Sequence, residues 1–203
     1  YEIIKNGGGH TQDVSNAYGS FHKPNPTELG PIKCIYHMTD AVLQTSLNQK
    51  EGIEAHRAVD FVLTLAQFMT TNARYSDIIL PVTTEWERCG GFGGYNNREY
   101  LPFYTRVTQP LGEAKTDQEI GELLIAGVGK DPKLAYDKTE DQQLYEQIAG
   151  CKVMGDDGKM KTLVTLTADD IKGLNAEGAP QEGIITLKEL KENGGYQFPR
   201  KRG

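Results

Sequence analysis

Three short apolar runs restrict this chain more than any other feature: IKCIYHM at 32–38, VDFVLTLAQF at 59–68 and SDIILPV at 76–82. Each has the length of a strand and falls well short of the about 20 apolar residues of a membrane-spanning helix. Between the first two lies EGIEAHRA at 51–58, which reads as a helix with Ile53 and Arg57 one turn apart. TTNARYS provides a short helix between the second and third. Strand, helix, strand, short helix, strand is the pattern of a parallel sheet. Strands covered on both faces read as continuous Val/Ile/Leu runs, as these do. The segment TDAVLQTSLNQ reads as a loop. The expected fold class is α/β, a parallel sheet with flanking helices, followed by an irregular, loop-rich and short-helix C-terminal extension.

Past Glu87 the pattern changes. CGGFGGYNN reads as a mobile loop and REYLPFYTRVTQP as an irregular strand or hairpin segment. EAKTDQEIGELLIAGVG is the best helix in the chain. Thr116 caps it, Glu119 three residues on completes a capping box, Ile120, Leu123 and Leu124 form one face, and Gly127 and Gly129 stop it. TEDQQLYEQIAG predicts a second amphipathic helix with Leu144, Tyr145 and Ile148 inward, and TLTADDIKGL and TLKELKENGG predict two short ones. Residues 1–31, rich in Gly, Pro and Asn, read as a loop-rich lead-in. The expected division is 1–31, a core at 32–130, and a helical or irregular extension at 131–203. The chain begins at Tyr1 rather than Met and reads as a piece of a longer polypeptide.

A formal net charge of -6 argues against a nucleic-acid or anionic-membrane surface, because phosphate backbones are bound by Lys and Arg clusters. Cys34, Cys89 and Cys151 lie far apart without a C-x-x-C pair, so they read as free or buried thiols rather than metal ligands. None of the four histidines has metal-motif spacing. His37 ends a strand, where the loops of α/β sheets place ligand contacts. GGFGG at 90–94 lacks the spacing of a phosphate-binding loop. Glu85 and Glu87 flank Trp86 and admit an acid–base pair, although solvated or capping carboxylates after a strand explain them as well. Asp77 opens a strand, so it either caps backbone groups or binds polar ligand atoms. Asp117, in the first turn of the best helix, is favoured there by the helix dipole.

The stretch FMTTNARYSDIILPVTTEWER at 68–88 resembles the segment F-M-T-x-T-A-x-x-A-D-I-x-L-P-x-x-x-x-x-E of the molybdopterin-dependent oxidoreductases of the dimethyl sulfoxide reductase family. PLGEAKTDQEIGELLIAGVG resembles that family's downstream P-x-G-E-A-x-x-D-x-x-I helix, and ITLKELKENGGYQFPRKRG the stretch before its C-terminal barrel domain. The resemblance implies a catalytic subunit in which molybdenum or tungsten sits on two pterin guanine dinucleotides, each held by a Rossmann-like domain. This chain resembles part of the later of those domains. It further implies a bacterial anaerobic oxygen-atom-transfer enzyme of dimethyl sulfoxide or selenate reductase type, with a four-iron cluster and the metal ligand elsewhere in the parent. The fragment alone is then not catalytic and holds no cofactor in isolation. Implied partners are the remaining domains of the same polypeptide, an iron–sulfur electron-transfer subunit and a membrane anchor subunit, with no nucleic acid. The family's usual place is periplasmic or extracytoplasmic and membrane-associated.

Carried over position by position, the family's dinucleotide-contacting loop after the first strand falls on Thr39 to Thr45. Thr39 replaces its glycine and Ala41 its asparagine, while Gln44 and Thr45 can still hydrogen-bond. The acid that reads guanine after the second strand is missing, since Leu65 and Ala66 stand there. Losing such a charge-assisted hydrogen bond costs about 1.5–3 kcal/mol. The expected cofactor-binding set is His37, Gln44, Thr45, Thr70, Asn72, Arg74, Asp77 and Asp117, the last as the remaining guanine acid. The losses at Thr39, Ala41 and Ala66 leave a second reading open, a cofactor-free paralogue acting as a structural or interaction module. An independent small enzyme built on Glu85 and Glu87 is a third.

Overall fold

The structure, a computed structural model, describes residues 32–38, 42–45, 47–93, 100–155 and 157–198. The chain divides into two compact units, one ending at Val82 and one beginning at Thr83, so the 32–130 stretch contributes to both. The loop-rich lead-in expected at 1–31 lies outside the described residues, as do Thr39 and Ala41.

The first unit is the expected parallel sheet. Its order is β1 (Cys34–Met38), β2 (Phe61–Ala66), β3 (Ile78–Pro81), with His37 opposite Thr64 and Leu65 opposite Leu80. Only the central strand is buried on both faces: Val62 to Leu65 are four consecutive buried residues. β3, expected to be buried, leaves Ile78 and Ile79 exposed: successive side chains point to opposite faces, and among the described residues neither face is covered there. Helix α2 (Gln49–Arg57) connects β1 to β2, and the single turn α3 (Thr71–Arg74) connects β2 to β3. Thr70 caps α3 by accepting the Ala73 N–H at 3.2 Å.

A directed chain of buried hydrogen bonds ties these elements together. The Gly52 carbonyl can only accept, so His56 Nδ1, 2.8 Å away, carries the hydrogen. In the neutral ring His56 Nε2 then accepts from His37 Nε2 at 2.9 Å. His37 Nδ1 in turn accepts from Asn72 Nδ2 at 3.4 Å, and Asn72 Oδ1 accepts the Leu43 N–H at 3.0 Å. The two imidazoles lie nearly parallel, 8° apart. Leu43 belongs to α1 (Val42–Thr45), a one-turn helix where the sequence reads as a loop. The turn forms because Leu43 is fully buried and its amide is claimed by a residue 29 positions away, a tertiary reason with no local signature.

The second unit begins with β4 (Gly90–Phe92), which pairs antiparallel with β5 (Tyr100–Thr105); β10 (Gly195–Gln197) joins the other side of β5. The stretch CGGFGG, expected to be a mobile loop, is therefore partly strand. Its glycines permit close packing: a Cβ at Gly91 would fall 2.2 Å from the Tyr104 ring, and one at Gly90 2.5 Å from the Tyr104 carbonyl oxygen. Helix α4 (Asp117–Gly127) carries the expected capping box between Thr116 and Glu119. Ile120 faces inward, but Leu123, expected on the same face, is 58% exposed. Helix α5 (Glu140–Gly150) buries Leu144, Tyr145 and Ile148 as expected.

The C-terminal stretch contains the two expected short helices, α6 (Ala168–Gly173) and α7 (Leu187–Glu192). It also contains the hairpin of β6 (Lys152–Met154) with β7 (Met160–Thr162), and the short parallel pair β8 (Val164–Thr165) and β9 (Ile185–Thr186). Apart from Phe103, the main buried apolar cluster of this unit comes from here and from α5, including Leu163, Val164, Leu166, Leu187 and Leu190. Polar and short-helix sequence thus surrounds a compact apolar centre.

Two predictions follow from this packing. Asn72→Ala strands the Leu43 N–H inside the first unit and is expected to cost about 1–3 kcal/mol, measured by urea unfolding. An unchanged midpoint would show that the chain of bonds contributes nothing to stability. Gly195 has φ +147°, and a Cβ there would lie 2.3 Å from the Leu101 carbonyl oxygen. Gly195→Ala is expected to cost more than about 1 kcal/mol and to speed amide exchange along β10.

Candidate functional site

In a parallel α/β sheet the loops leaving the carboxyl ends of the strands form the ligand edge. At this edge α1 follows β1, and Thr70 follows β2 at the start of α3. Gln44 Oε1 accepts the Thr71 N–H at 3.1 Å, which draws the end of α1 onto the start of α3. Gln44, Thr45 and Thr70 are thereby gathered on one rim. Gln44 keeps its amide N–H donors, and the Thr70 hydroxyl, already an acceptor for Ala73, keeps its hydrogen. Arg74 ends α3 with its side chain exposed.

Three other expected contacts are placed elsewhere. His37 and Asn72 are 6% and 0% exposed, and their polar atoms serve the internal chain of bonds beneath the rim. Asp77 stands at the opposite end of the sheet, where its Oδ2 accepts the Val62 N–H at 2.7 Å. The reason is topological: Asp77 opens a strand whose carboxyl end is Pro81, so it caps backbone groups at the amino edge. Leu65, at the position of the missing acid, is buried, and Ala66 is half-buried.

Asp117 belongs to the second unit, in a cluster of charged groups that the sequence reading did not bring together. It occupies the first residue of α4, where the helix dipole favours an anion. Arg88 Nη2 lies 4.0 Å from Asp117 Oδ2 and 3.4 Å from Glu85 Oε1. Asp117 Oδ1 and Arg88 Nε are both buried and have no hydrogen-bond partner among the described residues. Burial raises the Glu140 carboxyl above its ordinary value, although a hydrogen bond from Thr116 and the charge of Arg88 oppose this. Burial, with a hydrogen bond to Glu85, pushes the Tyr104 phenol up to about 12.

Glu85 and Glu87 do not form an acid–base pair. Glu85 is an exposed ion-pair partner of Arg88. Glu87 is buried, and its carboxylate accepts the Thr84 N–H at 2.7 Å, the Thr84 O–H at 2.8 Å and the Leu111 N–H at 2.9 Å. The Thr84 backbone bond, then the Thr84 hydroxyl and the Leu111 amide, hold this carboxyl below its ordinary value. The cysteines are free, and burial pushes the Cys89 thiol up to about 11, so it is no ready nucleophile. Among the described residues no group of His, Cys, Asp and Glu is arranged to hold a metal ion. His56 and Arg88 are the important residues that the sequence reading did not select. Arg88 had one available signal, its position directly after the motif-matching Glu87.

Comparison with known proteins agrees with the motif resemblance. The chain is 27% identical over 146 residues to the F420-dependent formate dehydrogenase subunit alpha of Methanocaldococcus jannaschii, covering 64% of this chain and 21% of the relative. It is 37% identical over 73 residues to the dimethyl sulfoxide/trimethylamine N-oxide reductase of Cereibacter sphaeroides, covering 35% of this chain and 9% of the relative. Among solved structures, acetylene hydratase from Pelobacter acetylenicus aligns with a TM-score of 0.44 and 25% identity, over 49% of this chain and 14% of that one. The chain therefore spans about a fifth or less of the length of these proteins. The model of the molybdopterin oxidoreductase family matches residues 5–126, more than half of the chain, and the chain belongs to that family.

Proposed function

We propose that this chain is the part of a molybdenum oxidoreductase that holds one molybdopterin guanine dinucleotide, with Arg88 and Asp117 of the second unit reading the base. The observation that carries this reading is the Arg88–Asp117 pair, whose side chains are 23% and 25% exposed and whose Nε and Oδ1 have no hydrogen-bond partner among the described residues. A buried acceptor and a buried donor without partners are costly unless a ligand or water completes them. Guanine offers the complementary set. Its N1–H and N2–H₂ donate to a carboxylate, and its O6 and N7 accept from a guanidinium. Adenine keeps the N7 acceptor but places an amino donor at the position of O6 and an acceptor at N1, so it opposes the carboxylate and retains only half of the guanidinium contact. The residues present therefore fit a guanine nucleotide, with Asp117 as acceptor and Arg88 as donor.

Within the first unit, considered by itself, Gln44 and Thr70 offer uncharged donors on one rim, a set suited to the oxygens of a polar ligand. When bound, the pterin carries the metal that supplies oxygen-atom-transfer chemistry, and this chain's residues orient the nucleotide end. The parent enzyme is proposed to be of dimethyl sulfoxide or selenate reductase type, with its iron–sulfur cluster, metal ligand and electron-transfer partners outside this chain. The motif resemblance supports that type, while the formate dehydrogenase relative shows that the family serves other reactions. The buried Leu65 and the small Ala66 where an acid is expected favour a second reading, the cofactor-free module.

Titration of the 203-residue chain with GMP and AMP, followed by calorimetry and amide chemical shifts, separates the two. The expected result is tighter binding of GMP, with Asp117→Asn weakening GMP by about tenfold or more, as for a lost charged hydrogen bond. Equal affinity for the two nucleotides would sink the guanine reading.

A further inference from the structure

We infer that Glu87 is a positioning residue for base recognition: its buried carboxylate sets the spacing between Arg88 and Asp117 without touching the ligand. This rests on the guanine reading above and adds the element that builds the reader. Arg88 and Asp117 lie on separate segments, and neither helix nor sheet joins them directly. Arg88 leaves the 83–88 turn, whereas Asp117 follows the irregular 106–116 segment.

Glu87 connects the two. On one side Oε2 takes both the N–H and the O–H of Thr84, which closes the turn immediately before Arg88. On the other side Oε1 takes the N–H of Leu111, six residues before Asp117. Backbone bonds run parallel to this clasp. The Trp86 carbonyl accepts from Val107 at 2.8 Å and Thr108 at 3.1 Å, and the Thr83 N–H donates to the Lys115 carbonyl at 3.0 Å. Within this stitching the Glu87 side chain bonds both segments. At 5% exposure it has no face for a ligand, so its effect on binding passes through its neighbours.

Charge matters to this role. A carboxylate accepts all three donors at once, whereas an amide of the same shape turns an NH₂ toward one of them. The carboxyl lies below its ordinary value in the folded chain. The clasp is therefore complete above the ordinary glutamate range and is lost as pH falls through the lower, folded value.

Glu87→Gln tests the inference in the full 203-residue chain, with GMP and AMP as probes at a temperature where circular dichroism reports a folded protein. Leu111→Pro, which deletes the N–H accepted by Oε1 at an exposed position and also fixes φ there, is the second variant. Both are expected to lower GMP affinity about tenfold, to leave AMP nearly unchanged, and so to bring the GMP to AMP ratio toward one. The anisotropy of Trp86, the only tryptophan, is expected to fall in both as the turn loosens. A simple loss of folded protein would instead weaken both nucleotides alike. Retention of the wild-type ratio in both variants overturns the positioning role while leaving the guanine reading intact. A wild-type chain that does not prefer GMP overturns the guanine reading itself, and this inference with it.

Discussion

The first unit depends on the burial of two imidazoles and a carboxamide in one continuous chain of hydrogen bonds. A buried polar group without a partner costs free energy on the scale of a whole interaction, so such a group is tolerable only if every link is made. Here the chain begins at a carbonyl of α2, crosses β1 and α3, and ends at an amide of α1. Each link has a fixed donor and a fixed acceptor, which leaves a single consistent arrangement. The rim above it, with Gln44, Thr45 and Thr70, inherits its geometry from that arrangement, because α1 and α3 are both anchored through Asn72.

The second unit solves a different problem with a charge. Its turn and loop segments at 83–88 and 106–116 have few apolar side chains to hold them, and Trp86, Val107 and Leu111 are all exposed. A buried carboxylate that accepts three donors replaces packing as the means of ordering the loops. Binding residues carried by loops need a rigid support, and a satisfied carboxylate supplies one in a few residues. The same region leaves Arg88 and Asp117 only partly satisfied, and the contrast between a completed Glu87 and an incomplete Asp117 is what assigns them different roles.

Much of the fold was legible because its causes are local. The apolar runs that became β1, β2 and β3 and the helix between the first two have periodicities that depend only on neighbours in the chain. The Thr116–Glu119 capping box is likewise written within four residues. The candidate site was less legible. His37 and Asn72 are polar residues near a ligand edge, and nothing in their own surroundings says that they turn inward to meet His56 and Leu43. Asp77 illustrates a milder error, since its residue type allowed capping or binding, and only the strand direction places it at the amino edge.

The sequence by itself determined the parallel βαβ class, the helix caps and the family, because periodicity, capping and motif order are carried by residues close together in the chain. The tertiary structure decided which polar groups are spent inside the fold and which remain for a ligand. Leu43 meets Asn72 across 29 residues and Glu87 meets Leu111 across 24, and no local pattern encodes such meetings. A hydrogen bond between distant segments forms only where the packed backbone brings donor and acceptor within about 3 Å, so its consequences for the site appear only once the chain is folded.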